Sequence, residues 1–471
     1  MKRWIVAAIA VLLVAFMAAC GANDETPYEP PREEQEEQPT EPQYVEIEGI
    51  YRRVMPRSSL TIEHFLEDLD YMVYVLENNF ALLDVAYWAH GVDYRELAAN
   101  AREAVLAMEE PSETMFLAIM RWHFFPLMGA GHFEIFTPTT LNQMWYLSSG
   151  DNASELAMMN FELMQSPLAE RFYGRSAAIV EYSTAIRQIA ELKEPLHNRY
   201  FGYITDNIGW PDDLHLVTEI IEEGRIAYIY PAGNMSIVYA VQSGIFNFFR
   251  ETRDFDHLII DMRGVGGGNP EAFIEVFIRP NITEAVLAPQ TFHFFQDGPH
   301  VRRFGENMFL PLAGGNLTNL EPYRPANEVL EVYDLPEFNR ADIERLDFGV
   351  LSGRSEPMIH PHPEFDQDPA FTGKIWMLTD HRMVSASQLA AWYSMELDFA
   401  THVGDVTGGM LGGPRTLVFM PNTGIIFWFD IFYITDSSGR PLEAGTTPHY
   451  FNRPGLDALE TVLAMIEEGD Y

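Results

Sequence analysis

Four stretches of this 471-residue chain hold groups that could act on a carbonyl or an anion. Ser385 opens the helical pattern Ser385–Leu397, directly after the short apolar run Lys374–Thr379, which reads as a buried strand. A serine where a strand turns into a helix is exposed as a nucleophile, and the helix N-terminus offers free N–H groups to a developing oxyanion. The same stretch admits a plainer reading, because Gln388 follows Ser385 by three residues as in a capping box. Gly266, Gly267 and Gly268 follow the apolar run His257–Met262. Successive glycines let backbone N–H groups approach a ligand, whether phosphate or oxyanion, or merely make a turn. No Lys-Ser/Thr follows as in a P-loop, and the dinucleotide pattern Gly-x-Gly-x-x-Gly is unmatched. His132 lies among small residues in Gly129-Ala130-Gly131-His132, where an imidazole could accept a proton near neutral pH or simply pack. Glu443 lies in Gly439-Arg440-Pro441-Leu442-Glu443, and by itself reads equally as a solvated turn residue.

These residues are far apart in sequence and need a scaffold. Thr61–Phe80 carries a helical stripe of Phe65, Leu66, Leu69, Met72, Val73 and Leu76, with further helices near Tyr94–Met108 and Ser112–Trp122. Residues 141–223 read as mainly helical, for example Ser176–Leu192. From Gly224 the pattern alternates: strand Arg225–Tyr230, helix Tyr239–Arg250, strand His257–Met262, helix Glu271–Ile278, then Lys374–Thr379 and its helix. Alternation of this kind means a mixed α/β core with parallel pairing. Thr416–Met420 and Gly424–Ile434 read as β-rich around the turn Asn422-Thr423-Gly424, and Leu456–Ile466 as a closing helix. The aromatic run Phe427–Tyr433 reads as core strand. The proline-rich stretch 280–371 yields no clear element. Within it, His360-Pro361-His362-Pro363-Glu364 has metal-ligand residue types, but its prolines favour a solvated turn.

Net charge is −39, from 30 basic and 69 acidic side chains. That field repels nucleic acid and anionic lipid and favours cationic peptides. The single cysteine, Cys20, excludes an internal disulfide framework. Lys2 and Arg3, an apolar core to Met17, then Ala18 and Ala19 before Cys20 form a secretory signal. It resembles a bacterial lipoprotein signal, which implies lipidation at Cys20 and an extracytoplasmic, membrane-anchored protein. The expected organisation is a signal peptide at 1–19, an acidic Pro/Glu-rich tether at 20–45, a helical domain at 46–140 carrying the histidine loop, a helical connection at 141–223, and a core at 224–471.

Taken in order, the histidine loop, Asp261-Met262-Arg263 leading into the glycines, Ser385-Ala386-Ser387-Gln388 and Gly439-Arg440-Pro441-Leu442-Glu443-Ala444-Gly445 resemble the tail-specific (C-terminal processing) serine peptidases. The resemblance implies a crotonase-like ββα-type catalytic core with an N-terminal helical domain, and hydrolysis of a peptide or protein substrate through an acyl-enzyme on Ser385. It implies an oxyanion hole from Ala386 with Gly266 or Gly267. One branch of the family activates serine with a lysine; here Gly408-Gly409-Met410-Leu411 has none. The other, similar to tricorn protease, uses a histidine and a glutamate, which implies His132 as base and Glu443 as its support. That branch has a serine where this chain has Gly131, so a bridging water is expected. No PDZ-like segment is recognised, and this chemistry calls for no cofactor and no metal. Val265, Gln388, Met410 and His449 depart from the family pattern. They keep a second reading open, a catalytically silent lipoprotein that holds a peptide or apolar ligand in the same cleft.

Overall fold

The helical stripe at the start of the folded sequence is buried on one side of a four-helix layer. In the computed structural model, helices α1 (Ile62–Asn79), α2 (Leu83–His90), α3 (Tyr94–Leu106) and α4 (Glu113–Phe124) follow one another closely. Phe65, Leu69, Met72 and Leu76 of α1 are fully buried. Two of these helices start on side-chain caps: Asp93 accepts from the Arg95 N–H, and Ser112 from the Met115 N–H. A short 3-10 turn, Ala130–His132, leads into strand β1 (Glu134–Ile135), and α5 (Pro167–Tyr173) and α6 (Ala178–Leu192) come next. The structure describes residues 43–47, 50–141, 164–175, 177–192, 197–198, 202–203, 215–231, 233–302, 317–319, 323–354, 358–365, 367–411 and 413–471. The expected signal peptide, Cys20 and nearly all of the tether lie outside them. Tyr44–Ile47 already pairs with Ile50–Arg53, so described structure begins slightly before the expected end of the tether.

The alternating half contains β2 (Val217–Glu222), β3 (Ile226–Tyr230), α7 (Met235–Thr252), β4 (His257–Asp261), β5 (Thr291–Phe295), β6 (Phe348–Arg354), β7 (Lys374–Thr379), α8 (Ala386–Glu396), β8 (Thr401–Gly404), β9 (Arg415–Phe419), β10 (Ile426–Asp430), β11 (Tyr433–Thr435), β12 (Tyr450–Phe451) and α9 (Ala458–Glu468). The main sheet has the order β12-β8-β7-β4-β3-β2. Its strands are parallel except for the β2–β3 pair at one edge. Both faces are covered, as parallel pairing requires: α7 and α8 pack in one apolar core, and α9 closes another over Trp376, Leu378 and Val403. The fold is mixed α/β, as expected from the alternation.

A second sheet, β9-β10-β1, is antiparallel. It shares one apolar core with α1–α4, so the helices of 46–140 are packed against strands from the end of the chain. A third sheet sets β5 between β6 and β11. Two expectations are corrected. Val217–Glu222, inside the stretch read as helical, is an edge strand held in register with β3. The unassigned stretch 280–371 contributes β5 and β6, both running through buried aromatic surroundings.

Candidate active site

β7 and α8 deliver Ser385 as the sequence predicts, but the backbone makes the delivery unusual. Ser385 has φ 57° and ψ −119°, a region that residues with a side chain rarely adopt. The surroundings hold it there: its N–H donates to the Gly409 carbonyl at 2.9 Å, and its carbonyl accepts from Leu389 inside α8. The capping alternative does not apply, because Ser385 Oγ makes no cap bond to the helix. It meets His132 Nε2 at 3.1 Å instead.

His132 reaches this position from the other end of the chain. Gly129 (φ 97°), and then Gly131 (φ 46°) and His132 (φ 51°) in succession, take positive φ and so aim the imidazole at the end of the 3-10 turn. A Cβ on Gly131 would lie 2.5 Å from Leu82 Cδ1 and 2.8 Å from Phe80, so the loop is seated on the residues joining α1 to α2. A serine at this position, which the resemblance would favour, has no room.

The carboxylate partner is Asp430, not the expected Glu443. Asp430 Oδ2 lies 2.6 Å from His132 Nδ1, and its side chain is completely buried. The strand register explains the meeting. β1 pairs with β10 as Phe427 with Ile135 and Trp428 with Glu134. Continuing that antiparallel ladder by two residues sets His132 opposite Asp430. Both ring nitrogens of His132 are thereby engaged: Nδ1–H donates to the carboxylate, and the Nε2 lone pair faces the serine hydroxyl. No water bridge is needed, in contrast to the expectation.

Glu443 serves another purpose. Its Oε2 accepts from the Leu411 N–H at 2.7 Å, and the residue is buried. It braces the 409–411 segment whose Gly409 carbonyl holds the Ser385 N–H. Met410 sits in that segment with φ 58°. Gln388, also buried, donates to Thr446 Oγ1 at 3.0 Å and accepts from Thr407, tying α8 to the same surroundings. Val265 is core, and His449 Nδ1 accepts from the His402 N–H at 2.9 Å. Each departure from the family pattern therefore has a structural role here.

Of the expected oxyanion donors, two fit and one does not. Gly267 lies against Ser385; a Cβ on it would be 2.9 Å from Ser385 Cβ and 3.2 Å from Oγ. Its N–H, like that of Ala386 at the start of α8, has no hydrogen-bond partner among the described residues. The Gly266 N–H is already given to the Gly233 carbonyl at 2.9 Å, so it is a structural donor. The Gly267 carbonyl accepts from Met235 at 3.0 Å, which fixes the loop against the start of α7.

Comparison with known proteins finds a family match over the second half of the chain. Residues 225–451 match peptidase family S41. The matched stretch contains Ser385, Gly267, Ala386, Asp430 and Glu443, whereas His132 lies before it. Three solved structures are similar to the chain at low identity. CPAF complexed with lactacystin is 15% identical with TM-score 0.47, over 87% of this chain and 99% of that one. A protein from Parabacteroides merdae is 13% identical with TM-score 0.45, over 88% and 98%. The photosystem II D1 C-terminal processing protease is 12% identical with TM-score 0.35, over 86% and 97%. No curated protein sequence matches the chain.

Asp430 escaped the sequence reading because it lies in the aromatic run Ile426–Tyr433. A single carboxylate in such a run is itself a signal, since burying it unpaired is costly. The His360–Glu364 stretch is occupied elsewhere: Glu364 pairs with Arg250, and the His362 ring packs 4.9 Å from Phe246.

Proposed function

We propose that this protein is a serine peptidase with Ser385 as nucleophile, His132 as general base and Asp430 as the carboxylate that orients the base. The observation that carries the reading is the hydrogen-bonded row Ser385 Oγ, His132 Nε2, His132 Nδ1 and Asp430 Oδ2, with spacings of 3.1 and 2.6 Å. Ser385 Oγ attacks the carbonyl carbon of a peptide bond while its proton passes to His132 Nε2. The carbonyl oxygen becomes an oxyanion facing the N–H groups of Gly267 and Ala386. When the tetrahedral species collapses, the C–N bond breaks and His132 returns the proton to the departing amine. Water then attacks the acyl-serine and gives a proton to His132; the ester C–Oγ bond breaks, His132 returns the proton to Ser385 Oγ, and a carboxylic acid product leaves. Asp430 holds the Nδ1–H of His132 throughout and stabilises the transient imidazolium.

We further propose that the protein acts outside the cytoplasm, lipid-anchored through Cys20 and without a PDZ module, in the manner of the histidine-dependent branch. Support for the anchor comes from the sequence of residues 1–20 alone. Metabolic labelling with a palmitate analogue tests it: incorporation into the wild type and its loss in Cys20→Ala are expected.

Fluorophosphonate labelling of the purified protein tests the catalytic reading. Labelling of the wild type that disappears in Ser385→Ala and His132→Ala is the expected result. A folded wild type that does not label would favour the silent, ligand-holding alternative.

A further inference from the structure

Only one oxygen of the Asp430 carboxylate is accounted for by His132. Oδ2 faces His132 Nδ1, but Oδ1 is buried and has no hydrogen-bond partner among the described residues. A carboxylate oxygen taken out of water is costly unless a donor or a cation compensates it. The cation that faces it is Arg415, whose Nε lies 3.8 Å from Oδ1.

The sheet puts Arg415 there. It is the first residue of β9 and pairs with Asp430, the last residue of β10. Directly opposed residues of an antiparallel pair carry their Cβ atoms about 5 Å apart on one face of the sheet. Trp428 lies two residues before Asp430, so it shares that face and is diagonal to Arg415. The guanidinium carbon of Arg415 stands 4.6 Å from the centre of the Trp428 ring. The indole is in turn packed edge-on against Phe136, 4.8 Å away and just past β1. A guanidinium stacked on an aromatic face has lost much of its freedom, so it meets the carboxylate as a pre-placed charge. Arg121, another cation beside β1, is given to Glu134 and to the Ile135 carbonyl instead.

We infer that Arg415 is a positioning residue of the proposed peptidase: it compensates Asp430 Oδ1 and thereby keeps Oδ2 turned to the Nδ1–H of His132. The inference rests on the catalytic reading above and deepens it. Arg415 acts on Ser385 only through Asp430 and His132. Its effect therefore vanishes in a variant whose residue 430 has no charge to compensate.

The test is a double-mutant cycle on the rate constant for fluorophosphonate labelling of the purified protein. Arg415→Met keeps an apolar stem over Trp428 and removes the charge, whereas Arg415→Lys keeps the charge. The Arg415 side chain is 36% exposed, so neither substitution opens a cavity in the core. Both are made in the wild type and in Asp430→Asn, and urea unfolding checks that each variant is folded; Arg415→Gln takes the place of an Arg415→Met that is not. In the wild-type background, Arg415→Met is expected to slow labelling by roughly tenfold to fiftyfold, and Arg415→Lys by no more than about threefold. In the Asp430→Asn background, Arg415→Met is expected to cause no further slowing. A merely structural role for Arg415 would slow labelling by the same factor in both backgrounds, and that result overturns the inference. So does an Arg415→Met that labels as fast as the wild type, or an Arg415→Lys that is slowed as much as Arg415→Met. A wild type that does not label, or an Asp430→Asn that labels at the wild-type rate, overturns the catalytic reading instead.

Discussion

The strained backbone at Ser385 and the short His132–Asp430 contact support the proposed chemistry from two directions. A serine needed only to start α8 would sit in ordinary extended backbone and cap the helix. This one gives up the cap and adopts a conformation that costs on the order of 1–3 kcal/mol, held by the Gly409 carbonyl and by α8. The two acidic residues separate cleanly by substitution. Asp430→Asn preserves size but removes the charge facing Nδ1 and favours the wrong tautomer; acylation by a fluorophosphonate should slow by roughly 10³–10⁴-fold. Glu443→Gln keeps an oxygen for the Leu411 N–H and should slow it by no more than about tenfold. Equal losses in the two variants would contradict the assignment of Asp430. At Gly131, a serine would meet Leu82 and Phe80 in left-handed backbone. Gly131→Ser is expected to cost about 1–3 kcal/mol in urea unfolding.

At the scale of elements, the site is where three segments meet, and they were not equally legible in the sequence. β7 and α8 could be read almost residue by residue, because a buried apolar run and a helix-opening serine are local signals. The histidine loop stood out through its small residues. Asp430 did not, because its partner is fixed by the ladder between β1 and β10, and cross-strand register is set by contacts nearly 300 residues apart in sequence. Val217–Glu222 does not read as a strand for the same reason: its identity as one comes from pairing with β3. The hairpin of β9 and β10 is anchored at its far end by α1. Asp68 accepts from the N–H groups of Asn422 and Thr423, both at 2.8 Å, and from the Thr423 hydroxyl at 2.6 Å. Burial pushes the Asp68 carboxyl up to about 6, although these donors pull the other way. Its folded value is thus above the unfolded one, near 3.8, so the folded state holds more protons between the two. The group's contribution is fully present below about pH 4 and is lost as pH rises through about 6. Asp68→Asn removes this dependence. The destabilisation it causes should therefore shrink between pH 4.5 and pH 7, as read from paired urea titrations.

For the whole molecule, 69 acidic against 30 basic side chains make self-repulsion a standing cost. Raising sodium chloride from about 20 to 300 mM shortens the Debye length from roughly 20 to 6 Å and should raise Tm. A Tm that falls with salt would mean that paired charges outweigh the surplus. The helices and the β9-β10-β1 sheet share one core, so the layer that seats the histidine loop and the sheet that carries Asp430 stabilise one another.

That arrangement bears on when the proposed enzyme can act. Ser385 and His132 are 253 residues apart, and Asp430 lies 298 residues beyond the histidine. A chain still emerging from the ribosome, or threaded unfolded through a translocation pore, holds all the reactive atoms but no site. Because β10 must pair with β1 before His132 has its carboxylate, the nucleophile gains its full support only once most of the polypeptide has been made and folded. Latency of this kind needs no inhibitory segment: the long loop between base and acid is itself the safety catch, released by folding.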